Sequence, residues 1–286
     1  MKIAVTGATG HLGGLVVEKL LETEQAGDII AVVRTAEKAA ALTRRGVAVR
    51  VATYDDQTAM ETALTDVDRL LLVSSSEVGR RTAQHRNVIG AARRAGVKQL
   101  VYTSAPRATT STLVLAPEHK ATEEHLVESG VAYTILRNNW YTENYVPQVQ
   151  IARETGAIVS AAGDGRVASA TRADFAVGAV AVLLGRGHEG KVYELGGDQA
   201  WSFTELAAVI AEIIGRPVEY RPVDGENLIR QLKKSGASDG AAAFAAALDT
   251  NIADGALAEV THDLSKLIGR ATTPLKTALK ASLLEA

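Results

Sequence analysis

A glycine-rich loop near the start of the chain has the spacing of a phosphate-binding turn. It follows a short apolar run, precedes apolar residues at helical spacing, and reads Gly7-Ala8-Thr9-Gly10-His11-Leu12-Gly13. In such a loop the first glycine permits a tight turn, the second lets the backbone approach a pyrophosphate, and the third lets helix and strand pack closely. The following helix offers unpaired N–H groups to the phosphates. The spacing differs by one residue from Gly-x-Gly-x-x-Gly, and the alternative is a turn without a ligand; we expect a bound dinucleotide.

The residue at the end of the second predicted strand indicates which dinucleotide binds. A site for NAD usually places Asp or Glu there, about 20 residues after the glycine loop, to bind the ribose 2′-hydroxyl. This chain has Val32-Val33-Arg34-Thr35 at that place. An arginine suits a 2′-phosphate because its charge and its forked donors match the phosphate oxygens. The alternative is a solvated surface arginine; the position favours NADP.

Small hydroxyl residues follow two later predicted strands. These are Ser74-Ser75-Ser76 and Thr103-Ser104. Ligands of open parallel sheets bind at the carboxyl ends of the strands, so both groups are expected to face the cofactor. Serine and threonine are also common in turns, so each group alone is weak evidence.

Alternating strands and helices must position these residues. Strands are predicted at 2–6, 29–34, 48–52, 69–74, 99–103 and 133–137, and helices at 12–24, 36–45, 58–64, 83–95 and 117–129. Gly46, Gly96 and Gly130 stand where left-handed helix caps occur. The alternation predicts an α/β fold with a Rossmann-type doubly wound parallel sheet.

The regular alternation of predicted strands and helices ends after Arg137. Strands are predicted at 191–195 and 218–223, and Ser202 with Glu205 forms a capping-box pattern before a helix that ends at Ile214. We expect an NADP-binding core over 1–137. Residues 138–286 are expected to form mainly a smaller C-terminal substrate lobe, partly interleaved with the core.

The bulk composition excludes several classes of protein. Hydrophobic residues are 47% of the 286, and the net charge of −2 offers no case for a nucleic-acid partner. There is no cysteine, which excludes disulfides, thiolate catalysis and cysteine zinc sites. The N-terminal apolar run is too short for a secretory signal, and the longest apolar stretch, 175–185, is far below a membrane span. The sequence predicts a soluble cytoplasmic protein with no membrane partner, and leaves open whether it forms a homo-oligomer.

Two further chemistries find no support. His119 and His125 are six residues apart, which puts them on different sides of a helix, so no metal site is expected. There is no Gly-x-Ser-x-Gly elbow for serine hydrolysis.

Several longer segments carry a resemblance to a known family. They are the glycine loop, Leu71-Leu72-Val73-Ser74-Ser75-Ser76-Glu77-Val78-Gly79, Leu136-Arg137-Asn138-Asn139-Trp140-Tyr141-Thr142-Glu143-Asn144, the stretch 161–174, and 264–269 near the end. With these the chain resembles the NADPH-dependent quinone oxidoreductases of the NmrA-like group, which belong to the atypical short-chain dehydrogenases. The resemblance covers most of the chain.

The resemblance implies an enzyme that passes a hydride from NADPH to a quinone without a flavin. It also implies cofactor contacts at the glycine loop, at Arg34, at Ser74, Ser75 and Ser76, at Asn138, Asn139, Trp140, Tyr141, Thr142 and Glu143, and near Arg172. Regulatory members of the group bind the dinucleotide without obvious turnover, so an NADP-binding redox sensor is the alternative. A sugar-nucleotide epimerase or reductase is a weaker rival, since it normally needs a tyrosine that is absent here.

That tyrosine belongs to the Tyr-x-x-x-Lys pair of most short-chain dehydrogenases. Lys120 lies at a suitable distance after the fifth strand, but Ala116 stands four residues before it. A ketone needs a strong acid at its oxygen as hydride arrives, whereas a quinone becomes aromatic and its oxygen holds charge well. The missing acid therefore favours a quinone.

Four residues remain as candidates for contact with the substrate. Lys120 either neutralises charge on the reduced substrate, contacts the nicotinamide ribose, or is the surface partner of Glu124 one helical turn away. Asn138, Trp140 and Tyr141 follow the sixth strand and either line a slot for a flat substrate or belong to the core of the second lobe. We expect Asn138, Tyr141 and Lys120 as the catalytic candidates.

Overall fold

The computed structural model describes residues 1–285 and is built around one large parallel sheet. In chain order the elements are β1 (Ile3–Thr6), α1 (His11–Leu20), β2 (Ile29–Val33), α2 (Ala40–Arg44), β3 (Ala48–Val51), α3 (Gln57–Ala63), β4 (Arg69–Leu72), α4 (Arg81–Arg94), β5 (Gln99–Ser104), α5 (Ala116–Glu128), β6 (Tyr133–Asn138), α6 (Val146–Thr155), β7 (Ala157–Ser160), β8 (Arg166–Val167), α7 (Arg172–Leu184), β9 (Lys191–Leu195), β10 (Trp201–Ser202), α8 (Phe203–Ile214), β11 (Glu219–Pro222), α9 (Gly225–Lys234), α10 (Asp239–Ala253), α11 (Asp263–Ile268) and α12 (Leu275–Glu285).

The seven strands of the main sheet run parallel in the order β3-β2-β1-β4-β5-β6-β9. From β1 the chain first adds strands on one side and then returns to add β4 on the other. The order therefore reverses between β1 and β4. A crevice opens at the carboxyl ends of the strands at such a point, and ligands of this fold bind there.

Strand residues alternate between two apolar cores on opposite faces of the sheet. In β1, Ile3 and Val5 pack with residues of α1 and α7, whereas Ala4 packs with residues of α3, α4 and α5. A strand covered on both faces must be apolar throughout, which explains why these strands read as continuous hydrophobic runs. The predicted doubly wound parallel sheet is confirmed.

The second half of the chain contributes to both parts of the molecule. β9 pairs with β6 as the seventh strand, and α7 packs against α1. α11 packs against α7 and β9 and joins the core of the main sheet through Leu264. Most of the other elements form a smaller lobe around a third core, with Tyr145, Trp201 and Phe203 among its residues. Two small sheets belong to this lobe, β7 with β11 in parallel and β8 with β10 antiparallel.

Element boundaries differ from the sequence prediction in a few places. The first helix ends at Leu20 instead of residue 24, and the helix predicted over 36–45 is a 3₁₀ turn, Glu37–Ala39, followed by the short α2. β7, β8 and β10 were not predicted, because two to four residues carry too little periodic signal. The predicted capping box at Ser202 is present.

Three predicted glycine caps adopt the expected backbone conformation. Gly46, Gly96 and Gly130 all have positive φ, as predicted for left-handed caps. Within residues 1–285, no helix has the length and apolar character to cross a membrane.

Candidate functional site

A cleft of about 290 Å³ opens at the carboxyl ends of β4, β5 and β6. β4 neighbours β1, and the strand order reverses between these two strands, so the cleft lies next to the reversal point. Its walls come from the turns after these strands, from α4, α5 and α7, and from the loops that lead to the second lobe. The lining residues are Ser74, Ser75, Ser76, Arg81, Thr103, Ser104, Ala105, Pro106, Leu113, Leu115, His119, Asn138, Asn139, Trp140, Tyr141, Asn144 and Arg172.

The glycine loop connects β1 to α1 at the same sheet edge. Gly7 has φ +59°, and a Cβ added at Gly10 would lie 3.1 Å from the carbonyl oxygen of Gly7. A Cβ at Gly13 would clash with that same carbonyl, so this glycine permits the close packing of helix on strand. Among the intervening residues, Ala8 and Leu12 are buried in the core, while Thr9 and His11 are exposed beside the glycines.

The start of α1 is suited to an anion. Its N-cap is Gly10, which supplies no side chain to pair with the first N–H groups, and the first turn holds no acidic residue. Unpaired N–H groups and the positive end of the helix dipole therefore face the loop. A side chain at Gly10 would occupy the space that a phosphate needs, so the loop fits a dinucleotide.

Arg34 follows β2, the neighbour of β1. Its side chain is 77% exposed, and its nearest charged partner is Glu77, with 3.7 Å between Nη1 and Oε1. The guanidinium is thus held only by a long surface contact and can turn to a phosphate beside the glycine loop. This placement agrees with either the phosphate-binding or the surface interpretation of Arg34.

The turn Ser74–Ser76 is held by one face of α4, which the sequence did not reveal. The carbonyl oxygen of Ser75 accepts a hydrogen bond from Nε of Arg81 at 2.8 Å, and its hydroxyl donates to Oε1 of Gln84 at 2.5 Å. Its N–H donates to Nε2 of His85 at 3.0 Å. Arg81, Gln84 and His85 are three and four residues apart, so they share a helix face. Every polar atom of Ser75 is therefore fixed.

The protonation state of His85 follows from these contacts. Because Nε2 accepts from the Ser75 N–H, the ring proton must be on Nδ1, which lies 3.0 Å from the hydroxyl oxygen of Thr122. Burial, with a smaller contribution from the nearby charge of Arg81, lowers the pKa of His85 to about 3. His85 is thus a neutral ring that anchors the turn.

A buried charged network lies under the cleft at the ends of β5 and β6. The Ser104 hydroxyl donates to Oε1 of Glu123 at 2.6 Å, and Arg137 donates to both oxygens of Glu123 at 3.0 and 2.6 Å. Arg137 also donates to Glu194 on β9 at 2.8 Å. The two carboxylates raise the pKa of Arg137 above its usual value. The network ties three adjacent strands together and holds Ser104 at the cleft wall.

The segment after β6 lines the cleft on one side and contacts the second lobe on the other. Asn138 is buried, and its Oδ1 has no hydrogen-bond partner among the described residues. The ring of Tyr141 packs edge-on against Phe175 at 5.4 Å, and the guanidinium of Arg172 lies 4.5 Å from the Tyr141 ring centroid. Burial raises the pKa of Tyr141. Asn138 lines the cleft, but its Oδ1 is enclosed by protein, so this oxygen does not face the cleft.

The other predicted residues of this segment serve different contacts. Trp140 lines the cleft and packs against the core of the second lobe, so both interpretations of it hold. Asn139 donates to the carbonyl of Leu257 at 3.2 Å. Thr142 and Glu143 do not line the cleft: Thr142 bonds Ser169 at 2.8 Å, and Glu143 accepts from the N–H of Arg172, also at 2.8 Å.

Lys120 is not among the cleft residues. Its side chain is 48% exposed, and its Nζ lies 3.9 Å from Oε1 of Glu124, the surface contact that the sequence offered as the alternative. His119, also on α5, lines the cleft. From the sequence alone, only the role of metal ligand is considered for this residue. No cluster of three metal-ligating side chains occurs within residues 1–285.

Comparison with known proteins agrees with this geometry. The family described as NAD(P)H-binding matches residues 7–184. Quinone oxidoreductase 2 of Escherichia coli K12 is 50% identical over 273 residues, which are 96% of this chain and 96% of the relative. An NmrA-like family domain-containing oxidoreductase of Aspergillus flavus is 30% identical over 295 residues, covering 100% of this chain and 96% of that protein.

A solved structure shares the whole architecture. The crystal structure of NADPH-dependent quinone oxidoreductase from Escherichia coli, complexed with NADPH, superposes with a TM-score of 0.96 at 49% identity and covers 98% of this chain and 99% of that one. The match extends over the core and the second lobe alike. The chain belongs to the NAD(P)H-binding family and, within it, to the NmrA-like oxidoreductases.

Proposed function

We propose that this protein is an NADPH-dependent quinone oxidoreductase that transfers a hydride directly to a quinone and uses no flavin. The observation that carries the proposal is the position of the cleft at the carboxyl ends of β4, β5 and β6, where β4 neighbours the strand that leads into the glycine loop. The identity with the Escherichia coli quinone oxidoreductase over nearly the whole chain supports it.

The residues around the cleft fit NADPH in three places. The glycine loop and the start of α1 would bind the pyrophosphate, and Arg34 would bind the 2′-phosphate. Asn138, in the cleft wall at the end of β6, would lie beside the nicotinamide. Once bound, NADPH supplies the hydride, which is the difficult part of the chemistry.

The protein's own contribution is to hold two flat rings together. Tyr141, Trp140 and the aliphatic side chains of Leu113 and Leu115 give the cleft walls an apolar surface for a quinone ring. Arg172 and Phe175 fix the Tyr141 ring from two sides, so the wall is preorganised. Asn138 and Tyr141 are therefore our candidates for residues beside the reacting rings. Lys120 is not, because it lies outside the cleft.

The absence of the tyrosine acid sets the substrate class. Ala116 is buried where the first residue of Tyr-x-x-x-Lys would stand. Carbonyl reduction without that acid is slow, whereas a quinone gains aromaticity and its oxygen carries charge readily. We propose that quinones, and not simple ketones, are reduced, and that the enzyme works in the cytoplasm, where NADPH is supplied.

Steady-state NADPH oxidation by the purified protein tests the proposal. We expect rapid oxidation with a simple benzoquinone, almost none with an aliphatic ketone, and no flavin absorption in the visible spectrum. Tight NADPH binding without quinone-dependent oxidation would favour the redox-sensor function instead. Bound flavin that is required for turnover would contradict direct transfer.

A further inference from the structure

A second residue of the cleft has the chemistry to act on the substrate, and it lies on α5. His119 lines the cleft with its ring mostly buried. Its Nδ1 lies 2.7 Å from the hydroxyl of Tyr102 on β5, and the two rings are stacked with centroids 6.0 Å apart. The pair is thus held rigidly between β5 and α5, directly beneath the cleft.

The hydrogen bonds around the pair fix the position of the imidazole proton. The Tyr102 hydroxyl is buried, and His119 Nδ1 is the partner that the structure gives it within residues 1–285. The hydroxyls of Thr122 and Ser74 also lie near Tyr102, but they donate to the carbonyl oxygens of Glu118 at 2.8 Å and Ser75 at 3.4 Å, and neither forms a hydrogen bond with the Tyr102 hydroxyl. A buried hydroxyl hydrogen without an acceptor is costly, so Tyr102 donates to Nδ1. The ring proton of His119 is therefore on Nε2.

The Nε2–H group faces the cleft. It has no hydrogen-bond partner among the described residues. Five other buried side-chain atoms also lack a partner and are fully enclosed by protein: Gln99 Oε1, Arg107 Nε, Asn138 Oδ1, Glu143 Oε2 and Tyr145 Oη. His119 Nε2 differs from them because it is not fully enclosed. The cleft is the space that the otherwise buried ring adjoins. The donor is thus open to a ligand in the cleft.

The electrostatic surroundings keep the ring neutral. Burial, with smaller contributions from the positive charge of Arg81 and from His85, lowers the pKa of His119 to about 3. The Arg81 side chain is only 5% exposed and also lines the cleft. Arg81 is paired with Glu118, with 2.9 Å between Nη1 and Oε2, so the nearby charges largely balance, and the neutral imidazole is the preorganised donor for an oxygen that gains negative charge.

We propose, on the basis of the quinone reductase function above, that His119 is a catalytic residue whose Nε2–H donates a hydrogen bond to the substrate oxygen that becomes negative. The quinone accepts a hydride, two electrons and one proton, from bound NADPH and becomes the hydroquinone anion. That anion takes its second proton from water in the open cleft, and NADP⁺ is left. His119 keeps its own proton throughout, and Tyr102 is a positioning residue that selects the Nε2–H tautomer.

Substitution of His119 tests this role. We expect His119→Leu to reduce kcat with benzoquinone by about 10- to 100-fold and to leave the Kd for NADPH within about twofold, because one donor to a charged oxygen is lost. His119→Gln keeps an N–H donor and should recover most of the rate. His125→Leu, on the same helix but outside the cleft, is the matched control and should behave as the wild type.

A series of substituted quinones separates this role from a structural one. The loss in His119→Leu should grow for quinones of low electron affinity, whose oxygen carries more charge, whereas a packing defect would slow all quinones equally. Should the leucine variant fail to fold, the double variant His119→Met, Tyr102→Phe leaves no buried hydroxyl unpaired and takes its place with the same expected loss.

The outcomes distinguish this inference from the proposed function. An unchanged kcat in a folded His119 variant, or an equal loss across the quinone series, would overturn the role of His119 while quinone reduction by the wild type stood. A wild-type protein that does not oxidise NADPH with any quinone would remove the proposed function itself.

Discussion

Replacement of Arg34 by alanine should separate the two dinucleotides. NADPH and NADH differ in the 2′-phosphate, and Arg34 stands at the end of β2, where this fold contacts that part of the ribose. The substitution removes the guanidinium from an exposed site and leaves the glycine loop, the cleft and both cores untouched. NADPH should therefore bind more weakly to Arg34→Ala, and NADH about as well as before.

The size of the effect follows from the exposure of the side chain. A hydrogen bond to a charged group contributes about 1.5–3 kcal/mol. At 77% exposure the lower half of that range applies, because water screens the charge. Release of the contact with Glu77, 3.7 Å long, costs at most about 1 kcal/mol. About 0.5–2.2 kcal/mol remains, which corresponds to a Kd for NADPH that is roughly 2- to 40-fold weaker.

Titration calorimetry with both cofactors measures this difference. The loss for NADPH should shrink at high salt, since exposed charges are screened. Glu77→Gln should strengthen NADPH binding slightly, because it removes the carboxylate that competes for Arg34. Arg45→Ala is the matched control: Arg45 is an exposed arginine paired with Glu18, away from the cleft. Equal losses for NADPH and NADH in Arg34→Ala would refute the assignment.

Three further predictions concern the loop, the slot and the buried histidines. Gly10→Val should abolish NADPH binding while circular dichroism shows a folded protein, because the side chain fills the phosphate space; unaltered affinity would refute it. Asn138→Ala and Tyr141→Ala should lower kcat with benzoquinone more than they weaken NADPH binding, and a loss confined to NADPH binding would contradict the slot. The free energy of unfolding should fall by about 2 kcal/mol between pH 7 and pH 5 for each of His85 and His119. The pKa of each histidine is about 3 in the folded protein and about 6.5 in the unfolded chain. Only the unfolded chain therefore takes up protons in this pH range, which favours unfolding. Urea unfolding of His85→Gln should show a smaller fall, and an unchanged pH dependence would contradict the assignment.

Local patterns made much of the fold predictable. The sheet could be predicted from alternating apolar runs. The glycine loop and Arg34 could be proposed as cofactor contacts because such roles depend on short spacings after a strand. The family resemblance then indicated the cofactor and the substrate class, which the comparisons support. The sequence could not reveal that β9 joins the main sheet beside β6, since that pairing joins residues more than 50 positions apart.

The polar residues that support the cleft could not be predicted from the hydrophobic periodicity of the sequence. Arg81, Gln84 and His85 read as the polar face of a helix, and their contact with Ser75 appears only when α4 packs under the turn. Glu123 likewise resembles a surface residue until Arg137 pairs with it in the interior. The sequence position of His119 suggests at most a metal ligand, and its other role depends on the tertiary contact with Tyr102. In each case a long-range polar contact, and not local propensity, decides what the residue does.

The stoichiometry of quinone reduction under anaerobic conditions tests the central claim most directly. Purified protein without added flavin should consume one NADPH for each hydroquinone formed from benzoquinone, and no NADPH in the absence of quinone. One-to-one consumption by a flavin-free protein is the result expected for direct hydride transfer. NADPH that binds but is not oxidised, or oxidation that begins only when flavin is added, would contradict it.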